Sequence, residues 1–249
     1  MSSSDSGHAK NVANFENLIS FCDGYGAIYN PSKDALSLNN LKLLHSKAQA
    51  SLQQATITKT SFANATNARK TAFKDLKPLS TKIINALAAS GATSLTVANT
   101  KTINRKIQGV KAAGSASAPA LPTDATAPAP TIKTISSSQQ SYDNMIDHFS
   151  KLIESVSQDA NYKPNETELQ TATLTTKLTS LKAANSLIVR AYTDWSNERI
   201  LRDNVLYNAL TGLVQTAQDV KKYVKSVYNA SSPQFKQVSG LAFTTVKEL

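Results

Sequence analysis

Three histidines and one cysteine are the side chains best suited to acid–base or nucleophilic chemistry: His8, His45, His148 and Cys22. A thiol nucleophile needs a base and a group that orients the base. No recognisable arrangement of either accompanies Cys22, which reads as a small buried side chain. His8 lies in a polar leader and His45 falls on an apolar seam. Asp143 and Asp147 share a helical face with His148 beside them. That trio reads as a helix-borne site or as an exposed polar face, and we adopt the second. Neither Glu-x-x-His nor His-Glu-x-x-His occurs, which removes the minimal ligand sets of di-iron bundles and zincins. Gly24-Tyr25-Gly26 lacks the preceding strand and the Gly-x-x-Gly-Lys pattern of a phosphate loop, and reads as a frayed helix end. No catalytic residue, cofactor or metal site is assigned, and a non-enzymatic role is expected.

Recurring charge is more informative. Arg69 and Arg199 sit on helical seams related by an offset of 130 positions. A guanidinium there can bind an anion or pair across an interface. It can also satisfy a carboxylate on a facing helix while its stem covers apolar surface, and this last role is expected. Lys70, Lys74 and Lys77 share one face, and Arg105 and Lys106 follow. With the two arginines they form the candidate anion or partner contacts. Asp143, Asp147, Glu154 and Asp159 form a candidate acidic partner patch. Phe62, Tyr192 and Trp195 read as an aromatic seam packed in the core. No aromatic residues interleave with the lysines, so any nucleic-acid binding would be non-specific and salt-dependent.

The elements that must position these groups are helices. Phe15, Leu18, Ile19 and Cys22 are spaced for a helix over about 14–28, after a flexible arm of residues 1–12. Pro31 disfavours helical geometry at Asn30, and Ser32 is placed to cap the next helix. Asn165, with Glu168 three positions on, resembles a capping box. Apolar residues then step by threes and fours from Leu38 to Leu76 and from Leu174 to Leu206. A register held through Ala55 and Asn185 predicts one long helix each time, or two nearly collinear ones. Shorter helices are expected over 79–89 and 213–228, with Gly91 and Asn229 as their stops. Ser232-Pro233 opens a last short helix.

The pattern is written twice. Phe15, Leu18 and Ile19 precede Tyr29 and Pro31, as Phe149, Leu152 and Ile153 precede Tyr162 and Pro164. Pro31 to Gly109 spans 78 positions and Pro164 to Gly240 spans 76. So close a match implies a duplicated module. The expected fold is therefore all-α: two tandem repeated helical-bundle units, 13–111 and 141–249, joined by an extended Ala/Pro/Ser linker over 112–140. The segments Asn99–Gly109 and Lys225–Leu241 resemble those of an uncharacterised bacterial family of two-unit helical proteins with a Pro-rich join. That resemblance implies the architecture and brings no activity or site residue.

Net charge is +10. Up to Lys111 there are 14 Lys/Arg against 5 Asp/Glu, and from Ser141 onward 12 against 11. The basic first part can meet an anionic partner or the acidic patch of a neighbouring copy, or can simply be a solvated lysine face. A single cysteine excludes an internal disulfide framework. No secretory leader and no membrane-spanning run is legible, so a cytoplasmic, non-inserted protein is expected. These features favour a structural or interaction protein that self-associates through two quasi-equivalent units. The alternative is a non-specific nucleic-acid-binding or compacting protein using the basic first unit.

Overall fold

Long Gly-free seams become two uninterrupted helices. The computed structural model describes residues 3–109 and 140–245, so most of the expected linker lies outside the described residues. All regular structure among them is helical: α1 (Ser3–Gly24), α2 (Leu38–Phe73), α3 (Leu76–Ala89), α4 (Ser94–Gln108), α5 (Tyr142–Ser157), α6 (Thr171–Tyr207), α7 (Leu213–Tyr228) and α8 (Pro233–Ser239), with short 3₁₀ turns. The protein is all-α. Neither α2 nor α6 breaks near Ala55 or Asn185. Among the described residues no helix is long and apolar enough to cross a membrane.

Packing groups the chain differently from a sequential division into 13–111 and 141–249. One compact unit combines residues 1–64 with 190–249, and the other is 65–189. In the first, α1 packs on α7 and α8. Phe15, Leu18 and Cys22 share a core with Leu213, Val220, Val224 and Val238. In the second, α5 packs on α3 and α4. There Phe149, Leu152 and Val156 share a core with Leu76, Ile83, Leu87 and Ile107. Each fully buried Phe or Leu contributes about 1.5–3 kcal/mol relative to exposure. The apolar face of α1 is thus covered by helices from the far end of the chain, and that of α5 by the two helices that precede it.

Residues 3–12 belong to α1 instead of a flexible arm. His8, Asn11 and Val12 are buried. Asn11 donates to the Thr244 carbonyl at 2.8 Å and accepts from the Thr244 amide at 2.9 Å. Tertiary partners, which local pattern does not reveal, hold this stretch. The expected caps at Ser32 and Asn165 also move. A 3₁₀ turn, Asp34–Leu36 or Thr167–Leu169, precedes each long helix. Its last residue is buried, and its carbonyl accepts a tyrosine hydroxyl. Tyr29 donates to Leu36 at 2.8 Å and Tyr162 to Leu169 at 2.9 Å. Burying that leucine and satisfying the tyrosine together outweigh the local capping box.

Other helix ends follow local chemistry. Ser232 accepts from the Phe235 amide at 3.1 Å with Pro233 opening α8. Gly91 (φ 87°) and Asn229 (φ 69°) take up left-handed geometry at the stops of α3 and α7. Pro78 lies inside the first turn of α3, where its missing N–H removes no helical bond.

The turn before α7 is tight. Asn208 Oδ1 accepts from the amides of Leu210 and Thr211, each at 3.0 Å. A Cβ on Gly212 would lie 2.5 Å from the Asn208 nitrogen and 2.6 Å from its oxygen. Gly212→Ala is expected to cost about 1–3 kcal/mol by overpacking. Gly24→Ala, with nothing within 4 Å of the new Cβ, is expected to be neutral or slightly stabilising. Urea denaturation of both variants checks the contrast.

Candidate functional site

The most distinctive surface of the first unit is aromatic. Four- and three-residue spacing on α6 brings Tyr192, Trp195 and Arg199 to one side. Phe62 of α2 stacks on Trp195 with ring centroids 5.4 Å apart and planes 17° apart. Its ring is also 5.7 Å from that of Tyr192. The Arg199 guanidinium stands 5.2 Å from the Trp195 centroid, within cation–π range. These rings do pack together, as their spacing implies, but outside the hydrophobic core of the unit. Tyr192 is 53 % exposed, and Ile200, eight residues on, is 65 % exposed. Periodicity located the cluster and missed its exposure, because a residue on the edge of a seam keeps the same phase as one inside it.

Arg69 lies in the second unit. Its Nη1 donates to Asn185 Oδ1 at 3.0 Å, and its guanidinium lies 4.0 Å from the Tyr142 ring centroid. Asn185 Nδ2 in turn donates to Asp143 Oδ1 at 2.7 Å. The expected carboxylate partner is therefore reached through an amide. Arg199 does not share this environment: it is exposed. Arg202, 133 positions after Arg69, is 8 % exposed and donates from Nε and Nη2 to Asp203 at 2.9 and 2.7 Å. The same offset of 133 also matches Tyr29 with Tyr162 and Leu36 with Leu169. The offset of 130 matched charge type and missed burial.

All four residues of the acidic set have partners in their own unit. Asp143 holds Asn185, and Asp147 pairs with Lys151 at 2.6 Å. Glu154 accepts from Gln158 at 2.7 Å, and Asp159 caps the Asn161 amide at 2.9 Å. The Lys151 ammonium holds the Asp147 carboxyl below its usual range, and Lys106 acts in the same direction. Each acidic residue therefore already has a partner within its own unit, and of the basic set Lys106 acts on Asp147 there. Lys77 donates to the Gln108 carbonyl at 3.2 Å. Lys70, Lys74 and Arg105 are exposed. By compact unit the charge is nearly even: 13 Lys/Arg against 9 Asp/Glu in the first and 14 against 8 in the second.

Cys22 is fully buried, and burial pushes its thiol up to about 12. Only the thiolate is strongly nucleophilic, so this side chain is inert near neutral pH. His8 Nδ1 meets the Tyr207 hydroxyl at 2.6 Å. His45 Nε2 lies 3.9 Å from Glu16. His148 stands in the other compact unit. Among the described residues no group of three or more His, Cys, Asp or Glu is placed to hold a metal ion.

The second unit carries an open cleft of about 500 Å³ between α3 and the 161–169 segment, lined by Lys82, Ala86, Tyr162, Lys163 and Glu166 among others. The Lys82 ammonium pairs with Glu168 at 2.8 Å across that boundary. No family model matches the chain, and no curated protein or solved structure matches it. The geometry alone therefore has to carry a functional reading.

His148 supplies a stability test. It is 6 % exposed, and neither ring nitrogen has a hydrogen-bond partner. Burial lowers its pKa from the usual 6.5, opposed by Asp147 and reinforced by Lys106 on α4 and Lys151 on α5. The unfolded chain therefore binds a proton more readily than the folded one. Stability from this residue is full above about pH 6.5 and declines as pH falls towards the folded value. His148→Leu is expected to raise stability by about 1 kcal/mol at pH 7.5 and to flatten the dependence between pH 5 and 7. Urea melts across that range check it.

Proposed function

We propose that this protein is a non-enzymatic structural or interaction protein, built from a duplicated helical module, whose copies associate through the aromatic face of the first compact unit. The duplication is supported by correspondences that burial selects. Tyr29 and Tyr162 make the same hydroxyl-to-carbonyl bond seven residues ahead. At the offset of 133, Leu41 matches Leu174, Ala48 matches Leu181 and Ala55 matches Ile188, all buried. At 137, after four extra residues in the 208–212 turn, Leu76, Ile83 and Leu87 match Leu213, Val220 and Val224. Phe62 and Trp195 are themselves equivalents at 133, and they stack on each other.

The observation that carries association is the half-exposed Tyr192 beside Trp195 and Arg199. An isologous contact needs a surface complementary to itself. This face supplies both halves of a cation–π contact, the Arg199 guanidinium and the aromatic rings, so a second copy fits it. Pairing of the basic and acidic sets between copies has weaker support, since all four acidic residues already have partners within their own unit. Non-specific nucleic-acid binding keeps Lys70, Lys74 and Arg105 as exposed cations, with no aromatic residue among them.

Both compact units carry net positive charge, so copies repel at long range. Apolar association is therefore expected to strengthen when salt is raised from about 50 to 500 mM, whereas charge-patch pairing would weaken. Sedimentation equilibrium is expected to show a mass above the monomer at micromolar concentration. Tyr192→Lys is expected to weaken association at least about tenfold, a cost of roughly 1.4 kcal/mol. A wild-type chain that stays monomeric at every concentration and salt would sink this reading.

A further inference from the structure

The two compact units are held by ion pairs of opposite polarity at corresponding places. In the first unit the cation is on the segment before α2 and the anion on α7. Lys33 donates to Asp219 at 2.9 Å. In the second unit the anion is on the segment before α6 and the cation on α3. Glu168 accepts from Lys82 at 2.8 Å. The correspondence holds on the third helices and is two positions out on the leading segments. Lys82 stands 137 positions before Asp219, the offset of the third helices. Lys33 stands 133 before Glu166, which shares a segment with Glu168 two positions on and lines the same cleft as Lys82.

Packing is asymmetric in the same place. Tyr223 on α7 meets the Tyr29 ring edge-on with centroids 5.3 Å apart. Its hydroxyl accepts the Asn30 amide at 3.0 Å. The matching residue on α3 is Ala86, and there the second unit has its open cleft instead of an aromatic ring.

We propose that these contacts are a pairing code that makes the two sequence halves heterophilic. The first half's Tyr29 segment recognises α7 of a second half, and the second half's Tyr162 segment recognises α3 of a first half. Recognition within one chain or between two copies uses the same surfaces. Pairing of two first halves would set Lys33 against Lys82 and leave Tyr29 facing Ala86. Pairing of two second halves would set Glu166 and Glu168 against Asp219. Specificity of this kind rests on the repulsion in the wrong pairs as much as on attraction in the right one. The partner that fits either exposed half is therefore the complementary half of this same sequence. This inference rests on the duplication proposed above and is independent of the aromatic face.

The test uses the whole chain with a protease site inserted within residues 112–139. The folded protein is cleaved, unfolded in urea, refolded, and weighed by native mass spectrometry. Complexes of one N-terminal with one C-terminal fragment are expected at about tenfold excess over either self-complex, since each pairing carries two such ion-pair positions. In the double variant Lys33→Glu/Asp219→Lys, every pairing becomes charge-permitted, and the self-complexes are expected to rise at least about threefold. Fragments that combine in the statistical one-to-two-to-one ratio overturn the proposal, as does a double variant with an unchanged distribution. If the cleaved chain fails to refold, the intact chain supplies the reading. Lys33→Glu and Asp219→Lys each lower the folding equilibrium constant about threefold, and together they restore it to within about twofold. Strictly additive losses overturn the code.

Discussion

Neither sequential segment, 13–111 or 141–249, closes its own core, and the rest of the structure follows from that. Phe15 and Val220 share one hydrophobic cluster although 205 positions separate them. The faces of α1 and α5 are amphipathic in the ordinary way, with buried residues three and four apart. What is unusual is where their covers come from: α7 and α8 for α1, and α3 and α4 for α5. Loop-closure entropy grows only slowly with chain length, so the distant cover costs little more than a near one. It does require both ends of the chain before the first unit is complete. The tyrosine hydroxyls at Leu36 and Leu169 fasten each leading segment in the geometry this cover demands.

The same exchange redistributes charge. Along the sequence the first part is strongly basic and the last nearly neutral, but the compact units differ little. Asp147 and Lys106, which sequence reasoning placed on opposite sides of a contact between copies, act on each other within one unit. Surface ion pairs of this kind contribute little to stability, about 0–1 kcal/mol each. Their value is selective, because the wrong pairing brings like charges together. Apolar packing supplies the affinity in each unit, and Lys33–Asp219 and Lys82–Glu168 discriminate between partners.

Helix type, the continuity of α2 and α6, the bounds of α7, the cap at Ser232 and the stops at Gly91 and Asn229 were legible from spacing and local backbone chemistry. They depend on neighbours within about four residues, and a linear pattern reports those faithfully. The 3₁₀ turns before α2 and α6 were not legible. They exist because Leu36 and Leu169 must be buried while two tyrosines find acceptors, which outweighs a capping box. The helical state of residues 3–12 was hidden for a related reason: His8 and Asn11 owe their burial to Tyr207 and Thr244. Arg202 was missed as the counterpart of Arg69 because charge type aligns at either of two offsets, and only burial distinguishes them.

By itself, then, the sequence determined that the chain is helical and where most helices run. These are properties of periodicity and of caps, encoded locally. Only the tertiary structure decided which helices cover α1 and α5, that Tyr192 and its neighbours stand outside the core, and that the acidic residues have partners inside their own unit. On the proposed duplication, two similar modules present similar apolar faces. The choice between closing on oneself and closing on the other rests on a few contacts, Tyr223 against Tyr29 and two ion pairs of opposite sense, whose partners lie 86 to 194 positions apart.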